Sequence, residues 1–302
     1  MNVFRVNQSG LRLDLFLTKA LNLSRKRVKK LIDEGRVRVG ERKVIIASWT
    51  LEKGDRVEIR GENDTTPLSK AAKDYFLSVI YEDDDLIVIE KEAGIACETS
   101  PASLTPSLPE IVYEYLKRVH PAMTHPFVLN LHRLDRATSG LMVYGKSKKA
   151  FPLLEDFKRH RIGRRYLALV EGAVKKDQGR IDAPLVKNPL ARGKKVQPAQ
   201  RGEGKAAITD YRILQRYTDR TLLEVDLKTG RTHQVRAHLS SFGHPVVGDP
   251  VYGAARGASP SLALHASELV FTHPVSHRKM VFRSKPPKRL RGMVERSLRR
   301  ST

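Results

Sequence analysis

The sequence is short of cysteine, of acidic residues and of long apolar runs, and each shortage removes a class of protein. Its single cysteine, Cys97, rules out an internal disulfide framework and any zinc site built on several thiolates. The opening stretch MNVFRVNQSG has no apolar core of signal-peptide length, and no segment approaches the run needed to span a bilayer. A reducing, nucleic-acid-rich compartment is therefore expected, most simply the cytoplasm. The phosphate loop G-x-x-x-x-G-K-[ST] and the nucleophile elbow G-x-S-x-G are both absent, and Gly202-Glu203-Gly204-Lys205 reads only as a Gly-rich turn. Histidines crowd the later part of the chain (His233, His238, His244, His265, His273, His277) without H-E-x-x-H spacing, so no metal site is expected. The acidic shortage points the other way, to a partner. Lys and Arg total 56 against 33 Asp and Glu, a net charge of +23, and the resulting positive field gathers polyanions. Nucleic acid is the expected partner, with an anionic membrane surface the competing reading.

Residues 11–61 read as a small module of their own. Leu13, Phe16, Leu17, Ala20 and Leu21 follow helical spacing and form one apolar stripe. Ser24 suits the N-cap of a second helix whose apolar face is Val28, Leu31 and Ile32, and Gly35 fits its left-handed stop. Val37 and Val39 alternate with Arg36 and Arg38, Gly40 turns the chain, and Val44 to Ile46 return as a partner strand. Arg25, Lys26, Arg27, Lys29 and Lys30 crowd the polar face of the second helix with no acidic residue before Asp33. A merely solvated face is the plain alternative, but intrahelical pairing cannot neutralise this run, and Arg25, Arg27, Lys29 and Lys30 are expected to contact phosphate. The stretch LRLDLFLTKALNLSRKRVKKLIDEGRVRVGERKV resembles the alpha-L RNA-binding module of certain ribosomal proteins.

Residues 62–74 are polar, lack apolar periodicity and read as a linker. From 75 to 302 strand and helix patterns mix without regular alternation. Strand runs stand at Leu77–Tyr81, Leu86–Ile89, Leu141–Tyr144, Leu167–Val170, Leu222–Leu227 and Val270–Phe271, and helical faces at Ile111–Val119 and Lys149–Phe157. This order predicts an α+β domain around a mixed, largely antiparallel sheet, with a basic tail over Lys285 to Arg300 lying partly on the surface.

The stretch HRLDRATSGLMVYGKSKKA, His132 to Ala150, stands out. Asp135 lies between Arg133 and Arg136, ahead of an apolar strand. A carboxylate flanked by guanidiniums favours its ionised form, which suits a nucleophile or a fixed base. It equally suits a structural ion pair in a turn, and residue chemistry alone leaves the two open.

HRLD followed two residues later by TSGL is similar to the signature of the RluA-type pseudouridine synthases. Further blocks fall in that family's order: YEDDDLIVIEK (Tyr81–Lys91), GRRYLALVEG (Gly163–Gly172), GKAAITDYRIL (Gly204–Leu214), LKTGRTHQVRAHLSSFGHPVVGDPVYG (Leu227–Gly253) and LHASELVFTHP (Leu264–Pro274). The resemblance implies a pseudouridine synthase fold and the isomerisation of selected uridines in structured RNA, without cofactor. It implies Asp135 as catalytic carboxylate, Arg231 as its ion-pair partner, Tyr166 packed against the base, and Arg133 in the space a flipped uridine leaves. The target is expected to be large-subunit ribosomal RNA, with transfer RNA the alternative, and the protein a monomer. Glu92-Ala93-Gly94 stands where the family usually has Pro-Ala-Gly, and the stretch from Glu92 to Pro109 is atypical, which predicts altered substrate contacts there. Two rivals remain: a catalytically inactive RNA-binding or assembly factor on the same scaffold, and a hydrolase pairing Asp135 with His132.

Overall fold

A computed structural model describes residues 2–33, 36–40, 42–44, 46–59, 72, 75–98, 105–123, 125–188, 195–199, 203–253 and 261–299. The expected helix stop at Gly35 and, apart from Ala72, the expected linker lie outside these residues. The chain divides into two compact units, Met1–Leu77 with Ala96–Asn130, and Ser78–Ile95 with Leu131–Thr302.

In the first unit, helices α1 (Leu13–Leu21) and α2 (Arg25–Asp33) pack on an antiparallel sheet. Its strands are β1 (Asn2–Arg5), β2 (Val37–Val39), β3 (Arg42–Val44) and β4 (Arg56–Ile59), in the order β1-β4-β2-β3. Leu13, Leu17, Val28, Ile32, Val37 and Trp49 are buried in a common core, each large apolar side chain contributing about 1.5–3 kcal/mol. The two helical stripes read from the sequence are thus the faces that meet the sheet. Ser24 caps α2 as expected, its Oγ accepting from the Arg27 N–H at 3.3 Å.

Helix α3 (Leu108–Val119) belongs to this unit as well. Ser107 and Glu110 form a reciprocal capping box at its start, which satisfies backbone donors the helix itself cannot. Glu110 also pairs with Arg42 at 2.7 Å, and Arg42 stacks 5.3 Å from the Trp49 ring. The sequence reading assigned 75–302 to one domain. In the structure the segment Ala96–Asn130 groups instead with the amino-terminal unit, tied by contacts between residues too far apart in sequence to be read as partners.

The second unit is built on a sheet of β5 (Ser78–Glu82), β6 (Leu86–Lys91), β7 (Ser139–Gly145), β8 (Gly163–Glu171), β9 (Gln178–Asp182), β10 (Ile208–Arg216), β11 (Arg220–Leu227), β12 (Leu264–Thr272) and β13 (Lys279–Arg283). The order is β9-β10-β11-β8-β12-β7-β6-β5, with β13 paired to β12. Of these pairs only β7 with β12 is parallel, so the sheet is mixed and largely antiparallel. Central β7 is buried at every position, which matches an uninterrupted apolar run.

Helices α4 (Phe151–Lys158), α5 (Gln234–Ser241) and α6 (Lys288–Arg299) complete this unit. The first was read from the sequence; α5 was not. Gln234 to Leu239 are all buried in α5, so no one-sided stripe marked it. The basic tail forms α6, anchored by Leu290 and Met293. Among the described residues, no helix is long and apolar enough to cross a membrane.

Candidate active site

The segment from His132 to Thr138 enters β7 as a loop fastened at several points. Gly140 makes the junction possible. Its φ is +120°, and a Cβ there would lie 2.3 Å from the Ala266 carbonyl oxygen of β12, so only glycine allows the parallel strands to approach. On the other side, buried Lys91 donates to the carbonyls of Glu92, Arg136 and Thr138 at 2.9, 3.1 and 2.7 Å. The Gly94 N–H donates to the Arg136 carbonyl at 2.7 Å, and Arg136 Nε returns a bond to the Gly94 carbonyl. Glu92, the departure from the usual proline, serves this strap through its backbone oxygen.

His132 anchors the loop and is not a partner for Asp135. Its Nε2 accepts the Val143 N–H at 3.1 Å, and its ring stacks on Phe157 at 4.4 Å. Burial first, and then the Arg164 charge, push the imidazole down to about 3. A neutral ring whose Nε2 is occupied by the backbone removes the basis of the hydrolase reading.

Asp135 sits at the wall of a pocket of about 360 Å³ lined also by Arg133, Tyr166, Arg231, His233 and Arg236. That volume lies within the range of small-molecule sites. Tyr166 and Arg164 alternate on β8 and face the pocket together. The strand register against β12 shifts between Arg165 and Tyr166, an irregularity that re-aims side chains. Arg133 is exposed where it lines the pocket.

The expected Asp135–Arg231 pair is not formed. Arg231 donates from Nε to the Ala206 carbonyl at 3.0 Å and from its backbone N–H to Gln234 Oε1 at 3.0 Å. Its place is taken by Arg236, whose Nη1 lies 3.1 Å from Asp135 Oδ2. The reason is local. His233 adopts a left-handed φ of 54° as the N-cap of α5. The helix then carries Arg236 inward, while Arg231 stays in the turn before it. Buried Gln234 holds that turn, accepting from Thr229 Oγ1 at 2.7 Å and donating to the Ile208 carbonyl and Thr209 Oγ1.

Arg236 is itself fixed by a two-pronged pair with Asp249, at 2.7 and 2.8 Å. Asp249 Oδ1 further accepts the N–H groups of Val251 and Tyr252. Burial opposes the charge on Arg236, but the hydrogen bonds and charges of Asp249 and Asp135 outweigh it and raise its pKa. The other oxygen of Asp135 faces His233 Nε2 at 3.9 Å. His233 Nδ1 lies 3.2 Å from the Tyr252 hydroxyl, which accepts the Val196 N–H at 2.9 Å. Burial, the largest influence, keeps His233 below its ordinary pKa even though Asp135 pulls it upward. The hydroxyl proton is therefore assigned to Nδ1, leaving an Nε2–H turned toward Asp135. The geometry thus gives an ion-paired carboxylate, with a neutral donor beside it, at the wall of a pocket.

In the first unit, Arg27 and Lys29 are exposed on α2, as is Lys30. Arg25 is committed elsewhere, its Nη2 lying 2.7 Å from buried Asp14. Burial pushes the Asp14 carboxyl up, but hydrogen bonds and charges from Arg12 and Arg25 bring it below its ordinary value. The acidic partner absent within α2 is supplied by α1.

Sequence reasoning missed Arg236, His233 and Asp249. All lie in the block Leu227–Gly253, where His233 to Arg236 spans one helical turn, but no pattern of apolar residues revealed the helix.

The chain was compared with known proteins. A family model described as RNA pseudouridylate synthase matches residues 85–241, and an S4 domain model matches residues 11–57. A protein of Aquifex aeolicus (strain VF5) named as an uncharacterized RNA pseudouridine synthase is 35% identical over 305 residues, covering 96% of this chain and 95% of the relative. The protein of Nitrosomonas europaea named ribosomal large subunit pseudouridine synthase D is 34% identical, covering 96% of this chain and 85% of the relative. The solved structure of human RNA pseudouridylate synthase domain containing 4 shares the fold with a TM-score of 0.62 at 23% identity, over 76% of this chain and 95% of that one. The chain belongs to the RNA pseudouridylate synthase family, is a pseudouridine synthase of that family's RluA type, and carries an S4 domain in its amino-terminal part.

Proposed function

We propose that Asp135 is the carboxylate with which this enzyme isomerises a uridine flipped out of structured RNA, and that the RNA is that of the large ribosomal subunit. The observation that carries the reading is Asp135 at the wall of a pocket and ion-paired at 3.1 Å with Arg236. Breaking the bond between C1′ and N1, turning the base and joining C5 to C1′ leaves one proton to depart from C5 and one to be taken up at N1. No redox change occurs and no group is consumed. Asp135 serves by attack at C1′ or by removal of the 2′ proton, and both routes need an ionised carboxylate beside the ribose. Arg236 stabilises that charge and fixes its direction. Tyr166 packs against the base and is the nearest candidate for guiding the C5 proton. Arg133 fills the stack that the uridine has left, offsetting an unstacking cost of about a few kcal/mol.

The ribosomal target is supported by the printed name of the Nitrosomonas relative and by the S4 match. In the S4 module, Arg27 and Lys29 supply phosphate contacts, which position the RNA without reading its sequence. A ribosomal substrate sets the cytoplasm as the place of action.

The test uses RNA carrying tritium at uracil C5. The wild-type protein should release tritium from ribosomal RNA, whereas Asp135→Asn should bind the RNA and release none. Release by the variant at the wild-type rate would refute the role of Asp135. Binding without release by either protein would favour the inactive RNA-binding factor.

A further inference from the structure

The pocket is lined by two clusters of charge, and only one of them contains ion pairs with carboxylates. Around Asp135 these are the pairs of Arg236 with Asp135 and with Asp249. The second cluster consists of Arg164, Arg231 and His160. Arg164 is only 9% exposed. Its Nη2 donates to the Thr229 carbonyl at 3.1 Å, while its buried Nε has no hydrogen-bond partner. The guanidinium lies across Gly230, where a Cβ would stand 2.5 Å from Nη1; the missing side chain makes room for it. Arg231 follows directly, with only the Ala206 carbonyl at its Nε. His160 is held at a left-handed φ of 58°, and its buried Nδ1 also lacks a partner.

No carboxylate among the described residues pairs with Arg164 or Arg231. Burial, followed by the positive charges of Arg231 and Arg164, holds His160 below its ordinary pKa. The charges acting on His233 are instead Asp135, Arg236, Asp249 and Arg133, so the two clusters have separate surroundings. A nearly buried guanidinium with no counter-charge is costly. Such an arrangement is sustained where an anion arrives to complete it, and the planar guanidinium fork suits phosphate oxygens.

We propose that Arg164, Arg231 and His160 form a phosphate site that takes the RNA backbone phosphate next to the flipped uridine. The proposal rests on the reading of this pocket as the seat of that uridine. Asp135 must face the ribose, and a ribose within RNA brings a phosphate on each side. Arg164 and Arg231 receive one of them, and the unpartnered Nδ1 of His160, presented as an N–H of the neutral ring, completes the site. Gripping the phosphate while the base is free to turn would hold the ribose against Asp135 through the step in which the base is attached only by contacts.

Two measurements test this. In the first, inorganic phosphate is titrated into the full chain against sodium chloride at equal ionic strength. Nuclear magnetic resonance follows the His160 ring and the arginine Nε–H signals. Phosphate should give a saturable shift at His160 and Arg164 that chloride does not, and Arg231→Gln should abolish it. Arg231 is chosen because Arg164 is buried and its replacement risks the fold. No saturable shift, or an unchanged shift in Arg231→Gln, overturns the proposal.

The second measurement uses a ribosomal RNA fragment bearing a neutral methylphosphonate beside the modified uridine. The substitution should lower kcat/KM for the wild type by about tenfold, and have little further effect on Arg231→Gln. A penalty of the same size in both proteins overturns it. A wild-type protein that released no tritium from any RNA would defeat the functional reading while leaving the phosphate titration readable.

Discussion

Arg236 serves two carboxylates with one guanidinium. It holds Asp135 at 3.1 Å and closes a two-pronged pair on Asp249, whose side chain is wholly buried. Replacing Arg236 by Ala leaves Asp249 charged, buried and deprived of this partner, which should cost about 3–5 kcal/mol. Arg236→Lys keeps the charge without the fork and should fall between that variant and the wild type. Arg231→Gln should cost less than about 1 kcal/mol, since its side chain makes one bond to a carbonyl. Urea unfolding of the three variants checks the order, and equal losses from Arg236→Ala and Arg231→Gln would contradict it. Both arginines are visible in TGRTHQVRAH, and the sequence offered no means to choose between them. The choice depends on where the helix begins, which a single left-handed residue, His233, decides.

At the scale of elements, the point where β7 meets β12 in parallel places the loop carrying Asp135 against the sheet. Gly140→Ala would have to accommodate a Cβ 2.3 Å from a backbone oxygen at a φ of +120°. The cost should be on the order of 3 kcal/mol or more, enough to lower the melting temperature sharply. Gly253→Ala provides the comparison in the same unit, because its φ is +92° with nothing within 4 Å of the added carbon. There only backbone strain applies, about 1 kcal/mol. Similar melting temperatures for the two variants would show that the close approach is not what Gly140 secures. Strands such as β6, β7 and β11 were legible because period-2 and continuous apolar runs leave a direct trace, whereas β1, β4, β9 and β13 were not read. The helix α5 left none, since Gln234, Arg236 and His238 are buried through hydrogen bonds and ion pairs that residue patterns do not display.

For the whole molecule the governing quantity is the charge of +23. RNA affinity should fall steeply with salt as counterions are released. Replacing Arg27 and Lys29 together by Ala should weaken binding and flatten the slope by about one unit for each lost phosphate contact. Arg25→Ala should act differently, lowering the unfolding midpoint of the first unit by about 1 kcal/mol through the loss of its Asp14 pair. Filter binding over a salt series, beside thermal unfolding, separates the two effects. An unchanged slope in the double variant would remove the α2 face from the RNA interface.

The sequence by itself determined what local pattern can carry: the alpha-L type module with its capped basic helix, several of the strands, the α+β class, the family, and Asp135 as the residue to examine. These rest on periodicity, capping and ordered motifs, all set by residues near one another in the chain. Only the tertiary structure decided which arginine pairs with Asp135, that Arg25 is bound to α1, that Ala96–Asn130 groups with the amino-terminal unit, and that Arg164 and Arg231 line the same pocket without pairing to a carboxylate among the described residues. Charges attract according to distance in space, and distance along the chain says almost nothing about which opposite charges will meet.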